Sequence, residues 1–366
     1  MSIFFLIVAG LFTVKALLFI VAAALERAKA RNRPSNQSLL RVSVIVPARN
    51  EEDNLALCLD SILQSTYHNY EIIIVNDRSS DKTGEIANTF AAKYPQIKVI
   101  HAIEEREGNL KGKPGALHLG IQNSQSDLIM MTDADCTVAS TWIESIAKQF
   151  NNPRVGLVAS YTVVKGTTFF EHMQDMEWLM NHTLACIGVS LDQPLGCFGN
   201  NLSIRRVVYK QIGGYPGIPF SVTEDLTLLQ TVHKSGWKIM YPCDQDCAVE
   251  TKPCINWSDF IKQLHRWIKG SKGLGWRKHI FVSFACIFWV FLATSIYNNA
   301  WNELFIVLFI RIFGDYILVL PSLSALKRMH KIAYVLPGMI FMMIIEAIIP
   351  FLFLKNTVVW KGQKFT

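Results

Sequence analysis

Apolar residues fall into two patterns along this chain. At both ends they run almost unbroken for a bilayer's thickness; in the middle they come in short bursts between polar turns. Residues 3 to 25 are apolar except for the charge of Lys15, and comparable runs occupy 280–297, 302–323 and 333–354. A helix crossing a bilayer needs ~20 such residues, so one N-terminal and three C-terminal transmembrane helices are expected. The first run is too long for the core of a signal peptide and has no small-residue cleavage site, which makes it a retained anchor.

The central bursts have a different period. "VSVIV" (42–46), "EIIIV" (71–75), "IKVI" (97–100) and "DLIMMT" (127–132) are short and rich in branched residues, as strands are. Leu55, Cys58, Leu59 and Ile62 recur at helical spacing between the first two. After the fourth, Thr141 and Glu144 have capping-box spacing, and Ile143, Ile146, Ala147 and Phe150 form an apolar face. Strand and helix alternate, so the fold class is α/β with a mostly parallel sheet covered on both faces. Ligands of such sheets bind beyond the carboxyl ends of the strands. The expected divisions are an anchor at 1–26, an α/β domain at 40–256, an amphipathic segment at 257–278, three spans at 279–354 and a tail at 355–366.

Charge orients these parts. Arg27, Lys29, Arg31 and Arg33 follow the anchor; Lys269, Lys272, Arg277 and Lys278 precede the second span; Lys327, Arg328 and Lys331 separate the third and fourth. Positive residues stay in the cytoplasm, which puts the α/β domain there, although Lys355, Lys361 and Lys364 would then lie outside. The net charge of +7 suits phosphate-rich partners or an anionic membrane surface. No basic stripe interleaved with aromatics is present, so a nucleic-acid partner is not expected. The eight cysteines form no CxxC pair, and Cys243, Cys247 and Cys254 have no zinc-ligand spacing.

Polar clusters follow the strands. "PARNEEDN" (47–54) follows the first, and "NDRSSDKT" (76–83) sets Asp77 at the tip of the second, where its carboxylate can accept from a base or ribose. Caps and turns use the same residue types. "GNLKGKPGALHLG" (108–120) surrounds Lys111 and Lys113 with glycines but matches neither GxGxxG nor the P-loop. It reads as a basic phosphate loop entering a helix or as a solvated turn. In "MMTDADCT" (130–137), Asp133 and Asp135 are two apart. In extended backbone they point the same way, and oxygen-only ligands select a hard ion such as Mg²⁺ or Mn²⁺. An Asx turn is the simpler alternative, but it needs one Asp. In "SVTEDLTL" (221–228), Glu224 and Asp225 precede an apolar face, where a carboxylate can take a proton from a hydroxyl or merely start a helix. "WSDFIKQLHRWIKG" (257–270) puts Trp257, Phe260, Ile261, Leu264 and Ile268 on one helical face, as an interfacial helix would. Gln263, Arg266 and Trp267 can share a patch on it, Arg suiting a diphosphate and Trp an apolar or sugar face. Arg311 and Asp315, four apart in the third span, are either a neutralised structural pair or the lining of an acceptor path; Glu346 is equally open.

The order of these motifs, Asp77, Asp133-Ala134-Asp135, Thr223-Glu224-Asp225 and Gln263-x-x-Arg266-Trp267, resembles the D, DxD, TED, QxxRW series of membrane-bound family 2 glycosyltransferases. That family includes polysaccharide synthases and ceramide glucosyltransferases. The resemblance spans about residues 40 to 275 and implies the family's nucleotide-sugar-binding GT-A type of sheet. It implies that Pro47, Asn50, Glu51 and Asp77 hold the nucleoside with Lys113 nearby, that Asp133 meets ribose or diphosphate, and that Asp135 holds Mg²⁺ or Mn²⁺. Asp225, beside Glu224, would be the base of a single inverting displacement from a UDP-sugar. Gln263, Arg266 and Trp267 would cap diphosphate and acceptor, and Phe198-Gly199-Asn200-Asn201 would face the acceptor. Asn76 and Arg78 depart from the family pattern, where a second Asp and a Gly are common. The short bundle favours a membrane lipid acceptor; a small polysaccharide synthase acting on a glycan is the alternative. A nucleotidyltransferase would leave the QxxRW helix unexplained, and an inactive scaffold would not need both Asp135 and Asp225.

Overall fold

A computed structural model describes residues 2–31, 40–354, 358–360 and 363–365. Arg33, Lys355 and Lys361 of the charge pattern lie outside the described residues. The chain runs α1 (Ile3–Arg31), β1 (Val42–Ala48), α2 (Leu55–Leu63), β2 (Tyr70–Asp77), α3 (Thr83–Lys93), β3 (Ile97–Ala102), α4 (Lys113–Gln122), β4 (Leu128–Met131), β5 (Thr137–Val138), α5 (Trp142–Gln149), β6 (Val155–Ala159), β7 (Thr162–Val164) and α6 (Phe169–Ser190). It continues with β8 (Leu202–Arg205), α7 (Arg206–Gln211), α8 (Gly214–Gly217), α9 (Glu224–Lys234), β9 (Lys238–Met240), β10 (Val249–Thr251), α10 (Trp257–Gly270), α11 (Arg277–Tyr297), α12 (Trp301–Ala325) and α13 (Val335–Phe353), and ends in the antiparallel pair β11 (Val358–Trp360) and β12 (Gln363–Phe365). Two compact units result. An α/β unit takes Asn32–Lys165 and Pro194–Lys252; a helical unit takes Met1–Arg31, Gly166–Gln193 and Pro253–Thr366.

The α/β unit is built on a seven-stranded sheet of order β3-β2-β1-β4-β8-β6-β9. The four bursts recognised in the sequence are its parallel β3, β2, β1 and β4. Their branched side chains, among them Val44, Val46, Ile72 and Ile74, are wholly buried. Each such side chain contributes ~1.5–3 kcal/mol, which is why the runs are continuous rather than alternating. β8 is antiparallel to both β4 and β6, pairing Leu202 with Met131. That reversal brings the loop preceding β8 to the carboxyl end of β4, the edge where the polar clusters emerge. A second sheet, β5-β10-β7, completes the unit. The capping box expected at Thr141 does not form: its hydroxyl donates to Asp246, and Glu144 pairs with Lys148. A capping box that the sequence reading passed over starts α6, at Thr168 and Glu171.

In the helical unit, among the described residues, four helices are long and apolar enough to cross a membrane: Ile3–Ala22, Arg277–Tyr297, Trp301–Ala325 and Met329–Phe353. Phe5, Val8 and Phe12 of α1 pack with Phe288 and Phe291 of α11 and with Leu304 and Val307 of α12. α10 buries Phe260, Leu264 and Ile268 against Phe341, Ile345 and Leu352 of α13 and Met173 of α6. A Cβ at Gly338 would stand 2.5 Å from that of Met176, so only glycine lets α13 approach α6 this closely. Arg311 and Asp315 do not pair with each other. Arg311 bonds Glu346 of α13 at 2.5 Å, and Asp315 bonds Lys15 of α1 at 3.0 Å. A charge in an apolar bundle needs a counter-charge, and each finds one on a neighbouring helix, tying α12 to both.

Candidate active site

The carboxyl ends of β1, β2 and β4 carry the polar clusters, and backbone hydrogen bonds latch the first two together. Asn50 sits at φ 54°, in the left-handed region that Asn tolerates. Its backbone N–H donates to Ser79, its side-chain oxygen accepts from the Ser80 N–H, and the Glu51 N–H donates to Thr83 at 2.7 Å. Pro47 is half-buried in β1. Asp77 is buried at the tip of β2, where Arg78 folds back on it (Nε to Oδ1, 2.9 Å) and also reaches Glu105 (3.3 Å). Arg78 stands at φ 55°, the conformation that a glycine at that position would supply. The departure therefore keeps the turn and adds a guanidinium beside Asp77. Asn76 is engaged by His101 and the Ser79 N–H.

Lys113 is the centre of the next cluster. Gly112, at φ 73°, turns the chain into α4 and sets Lys113 at the helix start. Its Nζ lies 2.5 Å from Asp133 Oδ1 and 3.7 Å from Glu224 Oε1. Burial opposes its charge, but Asp133, Glu224 and Asp225 hold its pKa well above the usual lysine value. Asp225, in the first turn of α9, accepts from the Gly199 N–H and the Leu226 N–H, both at 2.8 Å, which fixes its carboxylate. A Cβ at Gly199 would lie 3.4 Å from Lys113 Nζ and 3.5 Å from Asp225 Cβ and Glu224 Oε1, so this backbone lines the same space. Thus Lys113, Asp133, Gly199, Glu224 and Asp225, far apart in sequence, converge. Phe198 lies beside them in the loop, half-buried.

Asn200 and Asn201 do not share its exposure. Asn200 accepts from Thr162 and approaches Cys136; Asn201 accepts from Trp142 and donates to the Tyr161 and Cys247 carbonyls. Their side chains brace the loop from within, a correction to the expectation that they face an acceptor. Both amides spend oxygen and NH2 on partners inside the fold.

Burial, then the charges of Asp133 and Glu51, push the Asp135 carboxyl up to about 6, while the Cys136 thiol and Lys113 pull the other way. Asp133 is held by Lys113, while the surroundings of Asp135 disfavour its charge. A divalent cation would reverse that. The donors are all oxygens, as a hard ion requires, so the residues fit Mg²⁺ or Mn²⁺. Among the described residues no group of three or more His, Cys, Asp or Glu side chains encloses an ion. The protein would therefore supply these carboxylates and leave other positions to water and substrate oxygens.

Gln263, Arg266 and Trp267 belong to the helical unit. Trp267 meets Trp178 of α6 edge to face, with ring centroids 5.3 Å apart, and Gln263 Oε1 is buried without a partner. His265 of the same helix, α10, is buried as well. α6 also presents Asp175 to a bidentate bond from Arg328 (2.8 and 2.9 Å). Nothing in the sequence pattern marked Asp175, and Arg328 was read there only as a loop charge. Arg78 was visible only as a departure from the family pattern.

Comparison with known proteins gives the family and the fold. The sequence model of glycosyl transferase family 21 matches residues 4–366. A probable glycosyltransferase of Bacillus subtilis, YdaM, is 29% identical over 254 residues, covering 68% of this chain and 59% of its own. A beta-monoglucosyldiacylglycerol synthase of Trichormus variabilis is 30% identical over 245 residues, covering 64% of this chain and 49% of its own. The chain thus spans about half the length of these curated relatives. The mannosyltransferase PcManGT of Pyrobaculum calidifontis, solved with GDP-Man and Mn²⁺, shares the fold with a TM-score of 0.56 at 17% identity, covering 95% of this chain and 97% of that one.

Proposed function

The chain belongs to glycosyl transferase family 21, and from that premise we propose that it moves a sugar from a nucleotide sugar, a UDP-sugar in our reading, to the hydroxyl of a membrane lipid. The lipid acceptor is supported by the relatives named for monoglucosyldiacylglycerol synthesis, and a nucleotide-sugar donor with a divalent ion by the fold neighbour's complex. The observation that carries the reading is the convergence of Lys113, Asp133, Glu224 and Asp225 at the carboxyl edge of a parallel sheet.

Pro47, Asn50, Glu51 and Asp77 are assigned to the nucleoside, Asp133 to ribose or diphosphate, and Asp135 to the metal with Asp133. The metal, when bound, would offset charge on the diphosphate. Lys113, at the start of α4, adds positive charge there. Asp225 takes the proton of the acceptor hydroxyl. The acceptor oxygen bonds the anomeric carbon as its bond to the diphosphate oxygen breaks, and the electron pair leaves with the diphosphate. Attack opposite the leaving group inverts the centre. The two backbone N–H bonds to Asp225 hold its carboxylate in one orientation for this proton transfer. Gln263, Arg266 and Trp267 are assigned to diphosphate and acceptor. The basic residues Lys269, Lys272, Arg277 and Lys278 support a cytoplasmic catalytic face.

Membranes carrying the protein are incubated with a panel of radiolabelled nucleotide sugars, and label is followed into organic-extractable lipid and into polymer. Lipid label that is lost in Asp225→Asn while donor binding persists supports the reading. Full activity in that variant removes the base assignment, and label in polymer alone removes the lipid acceptor.

A further inference from the structure

Sulfur braces the turn that carries the acidic pair. Asp133 to Cys136 form a tight turn, not the extended segment their spacing suggested, closed by the Cys136 N–H on the Asp133 carbonyl at 3.1 Å. The Cys58 thiol of α2 donates to that same carbonyl at 3.5 Å, which holds the backbone. The Cys136 thiol goes to a side chain instead: its Sγ lies 3.4 Å from Asp135 Oδ1. Behind it, Asn200 Nδ2 meets the same sulfur at 3.7 Å, and Thr162 of β7 donates to Asn200 Oδ1 at 2.9 Å. The Thr251 hydroxyl of β10 bonds the sulfur as well. Cys136, Thr162, Asn200 and Thr251 are all buried, so these bonds are shielded from water.

These contacts fix where the thiol proton goes. The Thr162 hydroxyl occupies the oxygen of Asn200, which leaves an N–H donor facing sulfur. A thiol has a single proton to donate and accepts weakly. With Asn200 and Thr251 donating to it, Cys136 directs its own S–H at Asp135. Asp133 is oriented by a different chemistry, the Lys113 ammonium 2.5 Å from its Oδ1. A cation holds a carboxylate firmly but cancels its charge, and a divalent ion then has to compete with it. A thiol is a weak, neutral donor. It turns a carboxylate in one direction and leaves the negative charge for a cation to use. Side chains behind a metal ligand set its orientation and basicity, and losing one typically costs roughly 10–100-fold in metal affinity.

We propose that Cys136 is a positioning residue for the divalent ion: its thiol, backed by Asn200 and Thr162, presents the Asp135 carboxylate to the ion without neutralising it. The assignment rests on the metal reading of Asp135 above and adds to it the side chains that aim the ligand. It also gives Asn200 a task. The loop that brings Gly199 to the edge of β4 is joined through that one buried amide to the turn of the acidic pair. Cys136 acts through Asp135 and has no reacting role of its own.

The test uses the purified full-length protein in nanodiscs and the nucleoside diphosphate of the donor that the panel identifies, UDP in our reading. Calorimetry gives its affinity with Mn²⁺ and with EDTA, and the ratio of the two is the readout. Cys136→Ala should lower that ratio by about tenfold or more, with the affinity in EDTA as in wild type. Cys136→Ser restores a donor of nearly the same shape and should recover most of the ratio. A purely structural cysteine gives another result: Tm falls, any loss of affinity is the same with Mn²⁺ as with EDTA, and the ratio stays. A wild-type ratio in Cys136→Ala, or a Cys136→Ser ratio no higher than that of Cys136→Ala, overturns the proposal. Asp135→Ala separates this role from the metal reading. If that variant keeps the wild-type ratio, the metal reading falls and takes this role with it; if Asp135→Ala loses the ratio and Cys136→Ala keeps it, only the role of Cys136 falls.

Discussion

Replacing Lys113 with Met tests the electrostatic centre of the α/β unit. The side chains are similar in length, so what disappears is one positive charge 2.5 Å from Asp133 and 3.7 Å from Glu224. Lys113 and Glu224 are only 14% and 10% exposed as side chains, so water cannot fully replace the lost partner. Removing one member of such a buried pair typically costs ~3–5 kcal/mol; with Asp133 about a third exposed, the lower end applies. For a unit of this size ~3 kcal/mol corresponds to a fall in Tm of about 10 °C. The pH dependence follows from the direction of the Lys113 shift. Asp133, Glu224 and Asp225 raise its folded-state pKa, so its contribution is fully present below the unfolded lysine value of about 10.4 and is lost only as pH rises beyond that value. The deficit is therefore fully present at neutral pH and does not grow on acidification. Thermal unfolding of purified wild type and Lys113→Met in EDTA, from pH 4.5 to 8, measures this. A variant with unchanged Tm at pH 7.5, or a deficit that grows on acidification, would refute the account.

Three further outcomes follow from the same geometry. Gly199→Ala places a methyl 3.4–3.5 Å from Lys113, Glu224 and Asp225, ordinary contact distance; Tm should stay within about 2 °C, the range of a neutral surface change, while transfer rate falls because the methyl occupies space beside the reacting groups. Asp135→Ala should abolish the Mn²⁺-dependent part of nucleotide-sugar affinity, read by calorimetry with and without EDTA; equal metal enhancement in both proteins would remove Asp135 from the metal site. Arg328→Leu strands the fully buried Asp175 carboxylate and should destabilise the helical unit by ~3–5 kcal/mol, seen as a lower detergent-unfolding midpoint; a double Arg328→Leu, Asp175→Leu variant should recover most of the loss.

The strands and spans were legible because burial on both faces, or in lipid, demands apolar runs of fixed length. β1 to β4 read directly as branched runs, and the four apolar helices lie within a few residues of the expected bounds. β6 to β10 were not identified, because they are three to five residues long and carry too few positions for a period to show. The Thr141 box matched the spacing and failed in the fold: Thr141 takes a helical conformation rather than the extended one of a cap, and its hydroxyl is turned to Asp246. Local spacing proposes a cap, and tertiary neighbours decide it.

The sequence by itself determined that there is an α/β unit, apolar spans and an ordered set of acidic motifs, since each depends on residues close along the chain. Only the tertiary structure decided how those motifs combine. The antiparallel β8 brings Gly199 to the edge of β4, and the start of α4 puts Lys113 between Asp133 and Glu224. Asn201 turned inward, and Arg311 and Asp315 took partners on different helices. Charge and hydrogen-bonding balance is struck between residues distant in sequence, and no pattern along one strand or helix contains it.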